Sequence, residues 1–525
     1  MPSARSLRLA AAILPLLTSV SDARLTPAQV CEATKLRAQA AFSSCRLTAD
    51  AANAKKPSPS KRDAVYAKCA TALAGAYAKA EAKAVKAGGS CPTSGDDAAI
   101  RDLLGQCTLE SRQTTVGEPC SGIGCAVAEC PLDHATTLKG TVYAPNGTLP
   151  VPNAIVYVPN GPVGALPAGV TCDRCASLLG GTALARTITN AAGEFVLRGV
   201  PAAPNVPLVI QIGKWRRQLV VPSVPACTDT QLAADQTRLP RTRDEGDIPL
   251  IAVSTGGADS LECLLRKLGI ADTEFSTSPG LGHVHLFAGS GGTDQFDPGV
   301  GGGAQFAAST SLWSSLGSLE AYDVVLLSCE GAQNPGTKPG AALQAMKDYA
   351  DRGGRVYLEH WHNYWLQAGP TPWSSIVAFN FLPDLGNVTA DVDTQPGRNA
   401  TFADWLVGVQ ASTTRGKIAI VDAQHTATAV DASVAERVIY KDVTTNGQPT
   451  VQYASFTTPV EQPAAERCGR VVFSDLHQSS GDQSLDTLTF PSGGCISDVT
   501  HLSPQEKVLA YMVFDVGSCV GPISP

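Results

Sequence analysis

The residue types best able to do chemistry in this chain fall in three short stretches. They are Cys329-Glu330, Glu359-His360-Trp361-His362 and Asp475-Leu476-His477. Neutral imidazole, thiolate and carboxylate all bind zinc and similar divalent ions, and three protein ligands leave one position for water. Residues i and i+2 of a strand share a face. His360 and His362 can therefore point together, as can Asp475 and His477, and these four form a candidate ligand set. A second chemistry competes with it. Cys329 can act as a nucleophile with His477 as its base and Glu330 beside it. Strand-end histidines are also often held only by hydrogen bonds, and Cys329 can sit in a disulfide. A metal centre, a thiol nucleophile and an inert site all remain open.

The elements that must position these residues begin near 247. Apolar strands alternate with helices: DIPLIAVSTGG, SLECLLRKLGI, VHLFAG, YDVVLLSCEGA, AALQAMKDYADRGG, GRVYLEHWHNYW and, later, GRVVFSDLHQ. That order predicts a doubly wound parallel sheet of flavodoxin-like or amidotransferase-like type. Such sheets place ligands beyond the carboxyl ends of their strands. The loops 254–259, 328–334, 359–365 and 474–482 should therefore converge. His283 and His285 open their strand, so they belong at the opposite end. The loop Ser254 to Asp259 has neither G-x-G-x-x-G nor a P-loop lysine and reads as a tight turn. The glycine-rich tract 289–303 has no EF-hand spacing.

The D-V-V-L-L strand, the helix ending in Asp351-Arg352-Gly353-Gly354 and the R-V-Y-L-E-H strand resemble the class I glutamine amidotransferase-like superfamily, nearest its trehalose-utilisation-protein-like branch. RVVFSDLH resembles the late strand that delivers a histidine there. The resemblance spans about 270 residues. It implies a nucleophilic Cys in the elbow after the R-V-Y-L-E strand, but this sequence has His360 there, so glutamine hydrolysis is not expected.

Upstream, Arg5 and Arg8 precede an apolar run from Leu9 to Val20, and Ser21-Asp22-Ala23 offers a small-residue cleavage site. This is the plan of a signal peptide over 1–23. Residues 24–115 read as a Cys-containing helical segment, with Thr26-Pro27 opening one helix, Ser60 able to cap a second, and Gly88-Gly89 stopping it. Residues 116–135 form a Cys-rich linker. From 136 to 227 the alternation changes to short strands with frequent turns, and Asn146-Gly147 is a strong turn signal. KGTVYAPNG, PNAIVYV and the T-x-x-x-G-E-F strand resemble a carboxypeptidase regulatory-like module of transthyretin-like fold. That implies a small β-sandwich and an accessory role on carbohydrate or protein surfaces. Trp215-Arg216-Arg217 is its candidate binding patch. A polar linker covers 228–246, and 247–525 is the α/β domain. The whole arrangement resembles a group of predicted secreted bacterial proteins.

Sixteen cysteines along 525 residues point to disulfides and an oxidising compartment, either extracellular or periplasmic. Cys31 and Cys45 lie about 21 Å apart along one helix and cannot bond each other. In a helical hairpin Cys45 meets Cys69, and Cys31 faces Cys91 or Cys107. Cys172-Asp173-Arg174-Cys175 reads as a structural disulfide, with redox activity as its rival. Cys495 and Cys519 flank the last helix and can pair. The sandwich holds three cysteines and the last domain five. These odd counts require either a disulfide between them or a thiol in each.

Net charge is −7, with mean hydropathy +0.02. A nucleic-acid partner is not expected, nor is a membrane-spanning segment. The leading expectation is a secreted or surface-associated binding protein whose sandwich engages carbohydrate or another envelope component. The alternative is a secreted metal-dependent hydrolase of glycan, amide or ester bonds.

Overall fold

The computed structural model describes residues 26–97, 100–101, 104–105, 122–131, 134–175, 183–478, 489–491, 495 and 502–521. The expected signal peptide, Cys107, Cys120 and the end of the 474–482 loop lie outside them. Residues 1–119 and 120–525 form two compact units, and each is taken by itself.

In the first unit, α1 (Pro27–Lys55) and α2 (Pro59–Lys86) pair as a hairpin. Thr26 and Gln29 complete a capping box ahead of Pro27. The second helix is capped at Ser58 rather than Ser60, because Pro59 takes the first helical position, where its missing N–H costs nothing. Few large apolar side chains are enclosed, chiefly Phe42, Leu73 and Tyr77. Two disulfides, Cys31–Cys91 and Cys45–Cys69, staple this thin hairpin.

The second unit opens with two small sheets. The strands are β1 (Thr137–Thr141), β2 (Ile155–Pro159), β3 (Ala183–Ile188), β4 (Glu194–Arg198), β5 (Pro204–Ile212), β6 (Trp215–Ser223) and β7 (Asp229–Gln231). One sheet runs β4-β1-β7 and the other β3-β2-β5-β6. Gly147 takes a left-handed φ of 77°, as the Asn-Gly turn requires.

A mixed sheet of 11 strands follows. Its strands are β8 (Ile251–Ser254), β9 (Phe275–Ser276), β10 (Val284–Ala288), β11 (Ala307–Ala308), β12 (Val324–Leu327), β13 (Arg355–Glu359), β14 (Gly386–Val392), β15 (Lys417–Ala423), β16 (Ala435–Lys441), β17 (Thr450–Thr458) and β18 (Gly469–Ser474). The order is β11-β10-β8-β12-β13-β18-β17-β16-β14-β15, with β9 beside β10. Only the half from β11 to β18 is parallel. The half from β18 to β15 is antiparallel, which corrects the expectation of an all-parallel sheet. At the far edge, β14 and β15 alternate more exposed with more buried positions, as antiparallel strands with a wetter face can. β8, β12, β13 and β18 are buried at every position, as parallel strands covered on both faces must be.

Helices α3 (Leu261–Lys267), α4 (Gly340–Asp351), α5 (Arg398–Gly408) and α6 (Pro504–Gly517) cover this sheet. Gly353 ends the turn after α4 at φ 115°, where a Cβ would lie 2.1 Å from the Thr171 carbonyl oxygen. One buried apolar cluster runs from Val156 and Ile210 of the sandwich to Leu509 and Val513 of α6. Trp215 packs on Phe514 with ring centroids 5.4 Å apart.

Two disulfides cross this contact, Cys172–Cys468 and Cys175–Cys519. Cys263 bonds Cys495 within the larger part. The expected Cys172–Cys175 and Cys495–Cys519 bridges do not form, because each cysteine meets a partner distant in sequence. Cys130 bonds Cys227 and Cys125 is disulfide-bonded. The sandwich's three cysteines are taken up by two bridges to the sheet and one to Cys130, and the remaining cysteine of the last domain is a buried thiol, Cys329. No helix among the described residues is long and apolar enough to cross a membrane.

The Cys175–Cys519 bridge closes 344 residues of sequence separation and ties the end of α6 to the sandwich. A Cys175→Ser/Cys519→Ser variant should lose about 2–5 kcal/mol of unfolding free energy, read by denaturant titration of the second unit.

Candidate functional site

Neighbouring parallel strands pair in register, Val324 with Ile251, Val324 with Arg355 and Arg355 with Arg470. They therefore end at one level, and the chain leaving each end supplies the site. Behind β8, Gly256 presses against the turn after β12. A Cβ there would lie 2.2 Å from the Cys329 carbonyl oxygen, so glycine permits the approach. The Ala258 N–H donates to that same oxygen at 2.9 Å. The Cys329 N–H donates to Glu359 Oε2 at 2.9 Å. Backbone bonds thus fix the thiol from both sides.

His360 directly follows β13 and has φ 38°. A non-glycine residue in this region costs on the order of 1–2 kcal/mol, and such strain clusters at functional sites. The backbone then enters a short 3₁₀ turn, His360–Asn363. This reversal breaks strand alternation and separates His360 from His362. His360 Nδ1 lies 3.5 Å from Cys329 Sγ. Its ring centroid is 5.0 Å from that of His477. The donor atoms of Cys329, His360 and His477 all lie within 4.8 Å of one another, and all three residues are buried. His360 Nε2 has no hydrogen-bond partner among the described residues.

Burial, with His477 adding to it, pulls His360 down to about 2. The Cys329 thiol is pushed up by burial and then by the charge of Glu359. Both groups are therefore neutral at pH 7, which disfavours a thiolate–imidazolium nucleophile. A neutral imidazole beside a thiol is instead a ready ligand pair for a cation, which would supply the positive charge that a thiolate needs. With Zn–S near 2.3 Å and Zn–N near 2.05 Å, a tetrahedral S–N edge is about 3.6 Å. The 3.5 Å Cys329–His360 separation matches that edge.

Carboxyl groups lie beside these donors. Glu359 is pushed well above the ordinary glutamate range by burial and then by the neighbouring Asp259 carboxylate. Its Oε1 has no hydrogen-bond partner among the described residues. Asp259 Oδ2 accepts the Gln478 N–H at 2.6 Å. Glu262 is pushed up to about 8 by burial and accepts the Thr293 hydroxyl at 3.2 Å. Asp259 and Glu262 were not marked by their sequence. One ends a glycine-rich turn, and the other stands in the first turn of α3, where acidic residues are ordinary.

The other expected site residues are placed elsewhere. His362 Nε2 meets the Ser328 carbonyl at 2.9 Å, and its Nδ1 accepts the Trp365 indole N–H at 3.1 Å. Both nitrogens are thus used. Asp475 accepts two bonds from Thr426 and one from the Ala427 N–H, which turns it away from His477. Burial lifts it to about 6. Glu330 pairs with Lys338 at 2.6 Å, and both side chains are almost wholly enclosed. It braces the 329–338 turn and does not reach the thiol. His283 pairs with Glu274 and His285 with Tyr322, at the start of β10.

Trp215-Arg216-Arg217 is not an exposed patch. Trp215 and Arg216 are each 2% exposed. Arg216 binds Asp247 at 2.7 Å, and Arg217 donates to the carbonyls of Asp235 and Arg238. Strand β6 turns these side chains into the contact with α6 and the following loop.

No family model matches this chain, and a search of curated proteins finds no match. Among solved structures, a type II cohesin–X-dockerin complex from Acetivibrio cellulolyticus aligns at TM-score 0.14 and 15% identity, covering 28% of this chain and 78% of that one. A 9R-lipoxygenase from Cyanothece PCC8801 aligns at TM-score 0.12 and 11% identity, covering 26% of this chain and 23% of that one. At those scores neither likeness bears on fold or function.

Two outcomes follow from these charges. Lys338→Met leaves Glu330 buried and unpaired and should cost about 3–5 kcal/mol in denaturant unfolding. Glu262 keeps its proton in the folded chain at pH values where the unfolded chain has lost it. Its contribution is full below the ordinary glutamate value and is lost as pH rises through about 8. Over that window stability should fall by up to about 1.4 kcal/mol per pH unit. Glu262→Gln should flatten this slope in unfolding curves taken from pH 5 to 8.

Proposed function

We propose that this chain is a secreted metal-dependent hydrolase of amide or ester bonds. The observation that carries the reading is the buried Cys329–His360–His477 set, with its donor atoms within 4.8 Å. A mixed thiolate and imidazole set with one position left over is a catalytic zinc pattern. When bound, such an ion lowers the pKa of water and polarises a carbonyl.

The chain's own residues supply the rest. Glu359 is held through Oε2 by the Cys329 N–H, while Oε1 has no hydrogen-bond partner among the described residues. A cation held beside it would keep Glu359 ionised, so that it could take the proton from attacking water and pass it to the leaving nitrogen or oxygen as the carbonyl–heteroatom bond breaks. A glutamate that carries protons beside such a set without ligating the ion is the arrangement of the zinc deaminases. The resemblance to the amidotransferase-like superfamily agrees with a site at these strand ends, with His360 in place of its cysteine. The reading as a carbohydrate-binding protein loses its anchor with Trp215 and Arg216 enclosed.

Metal analysis of protein purified from an oxidising compartment without chelator should find about one transition-metal ion per chain. A Cys329→Ser/His477→Ala variant should find none. On a panel of ester and amide substrates, Glu359→Gln should keep the metal and lose roughly 10²–10⁴-fold in kcat. A folded, metal-free native chain would sink the proposal, and bound metal without turnover on any substrate would reduce the site to a structural one.

A further inference from the structure

A cavity of about 310 Å³ lies at the opposite end of β18 from His477. The register sets Arg355 beside Arg470 on neighbouring strands, so two cations start side by side in a buried layer. Arg398 joins them from α5. Asp515 is shared by two of the three: its Oδ1 accepts from Arg398 at 2.5 Å and from Arg470 at 2.6 Å. Its Oδ2 is taken by the Tyr453 hydroxyl. Among the described residues, Arg355 donates to the carbonyl oxygens of Cys468 and Asp173 alone. The nearby Asp173 and Asp323 carboxylates serve Lys214. Four cations therefore face three carboxylates among these described groups. Burying an unbalanced charge is costly unless something neutralises it.

Arg470 is 6% exposed and lines the cavity. Its Nη1 is turned to Asp515, while its Nε is buried without a hydrogen-bond partner among the described residues. The Nε–Nη2 edge is the side of a guanidinium that grips a carboxylate with two parallel bonds. Arg467 stands on the same cavity, as do Val438 and Phe456. The one further acid on its wall, Glu436, is exposed to water. The volume exceeds what a single inorganic ion needs and falls at the lower end of small-molecule sites.

We propose that this cavity binds a small organic carboxylate, with its anionic head on the Nε–Nη2 edge of Arg470 and its apolar body against Phe456 and Val438. This site is separate from the histidine site and independent of any reaction there.

Titration calorimetry of the intact chain with benzoate, succinate and inorganic phosphate tests it. The carboxylates should bind saturably, about one per chain, in the millimolar range or tighter. Arg470→Lys keeps the charge but loses the fork, and it should weaken binding at least about tenfold. Ala464 lines the cavity from an exposed loop, so Ala464→Trp should block binding and leave the melting temperature unchanged. No saturable binding by either carboxylate would overturn the proposal. So would binding that survives both substitutions, or binding of phosphate alone.

Discussion

Four parallel strands, β8, β12, β13 and β18, are buried on both faces and pair in register. Everything chemical in this protein depends on that ladder. Two-faced burial fixes the register, because each strand lies between layers of helix and can offer neither face to water. Fixed register makes the strands end together. Cys329, His360 and His477 come from segments 31 and 117 residues apart, yet their donor atoms fall within 4.8 Å. The turns that leave the ladder then do the fine placement. Gly256 gives the Cys329 backbone room, and the left-handed φ at His360 swings its ring toward the thiol.

Buried charge is the second constraint, and the two ends of the ladder meet it differently. At the carboxyl ends, Glu359 and Glu262 stay protonated because nothing cationic is close enough to hold them ionised. At the amino ends the excess is positive. Arg355 is lowered to about 10 by burial and by Arg470 beside it. Glu330 and Lys338 show the balanced case, a closed ion pair that braces one turn. Acid-rich and base-rich ends on one sheet suit ligands of opposite charge, a cation at the histidines and an anion at Arg470.

The sandwich is more than an appendage in this arrangement. Its core is continuous with that of the large sheet, and two disulfides cross the contact. Trp215 and Arg216 serve that contact. Side chains that can anchor a partner protein in one fold here anchor one part of the same chain to another.

The sequence alone determined a good deal. Helical composition with Thr26-Pro27 and spaced cysteines predicted the stapled hairpin, since caps and the rise between cysteines along one helix are local properties. The apolar runs VVLL and RVYLE predicted buried parallel strands, and the strand-end rule brought Cys329, His360 and His477 into one region. Tertiary structure decided what local spacing cannot encode. The i, i+2 rule holds only while a strand continues, and the chain leaves β-geometry at His360 and after Ser474, so His362 and Asp475 turned to Ser328, Trp365 and Thr426. Asp259 and Glu262 joined the site through a loop whose closeness depends on Gly256 meeting the turn at Cys329, 73 residues away. Disulfide partners separated by 232 to 344 residues are set by which surfaces pack, and an alternating strand such as β6 does not reveal whether its outward face meets water or another layer of protein.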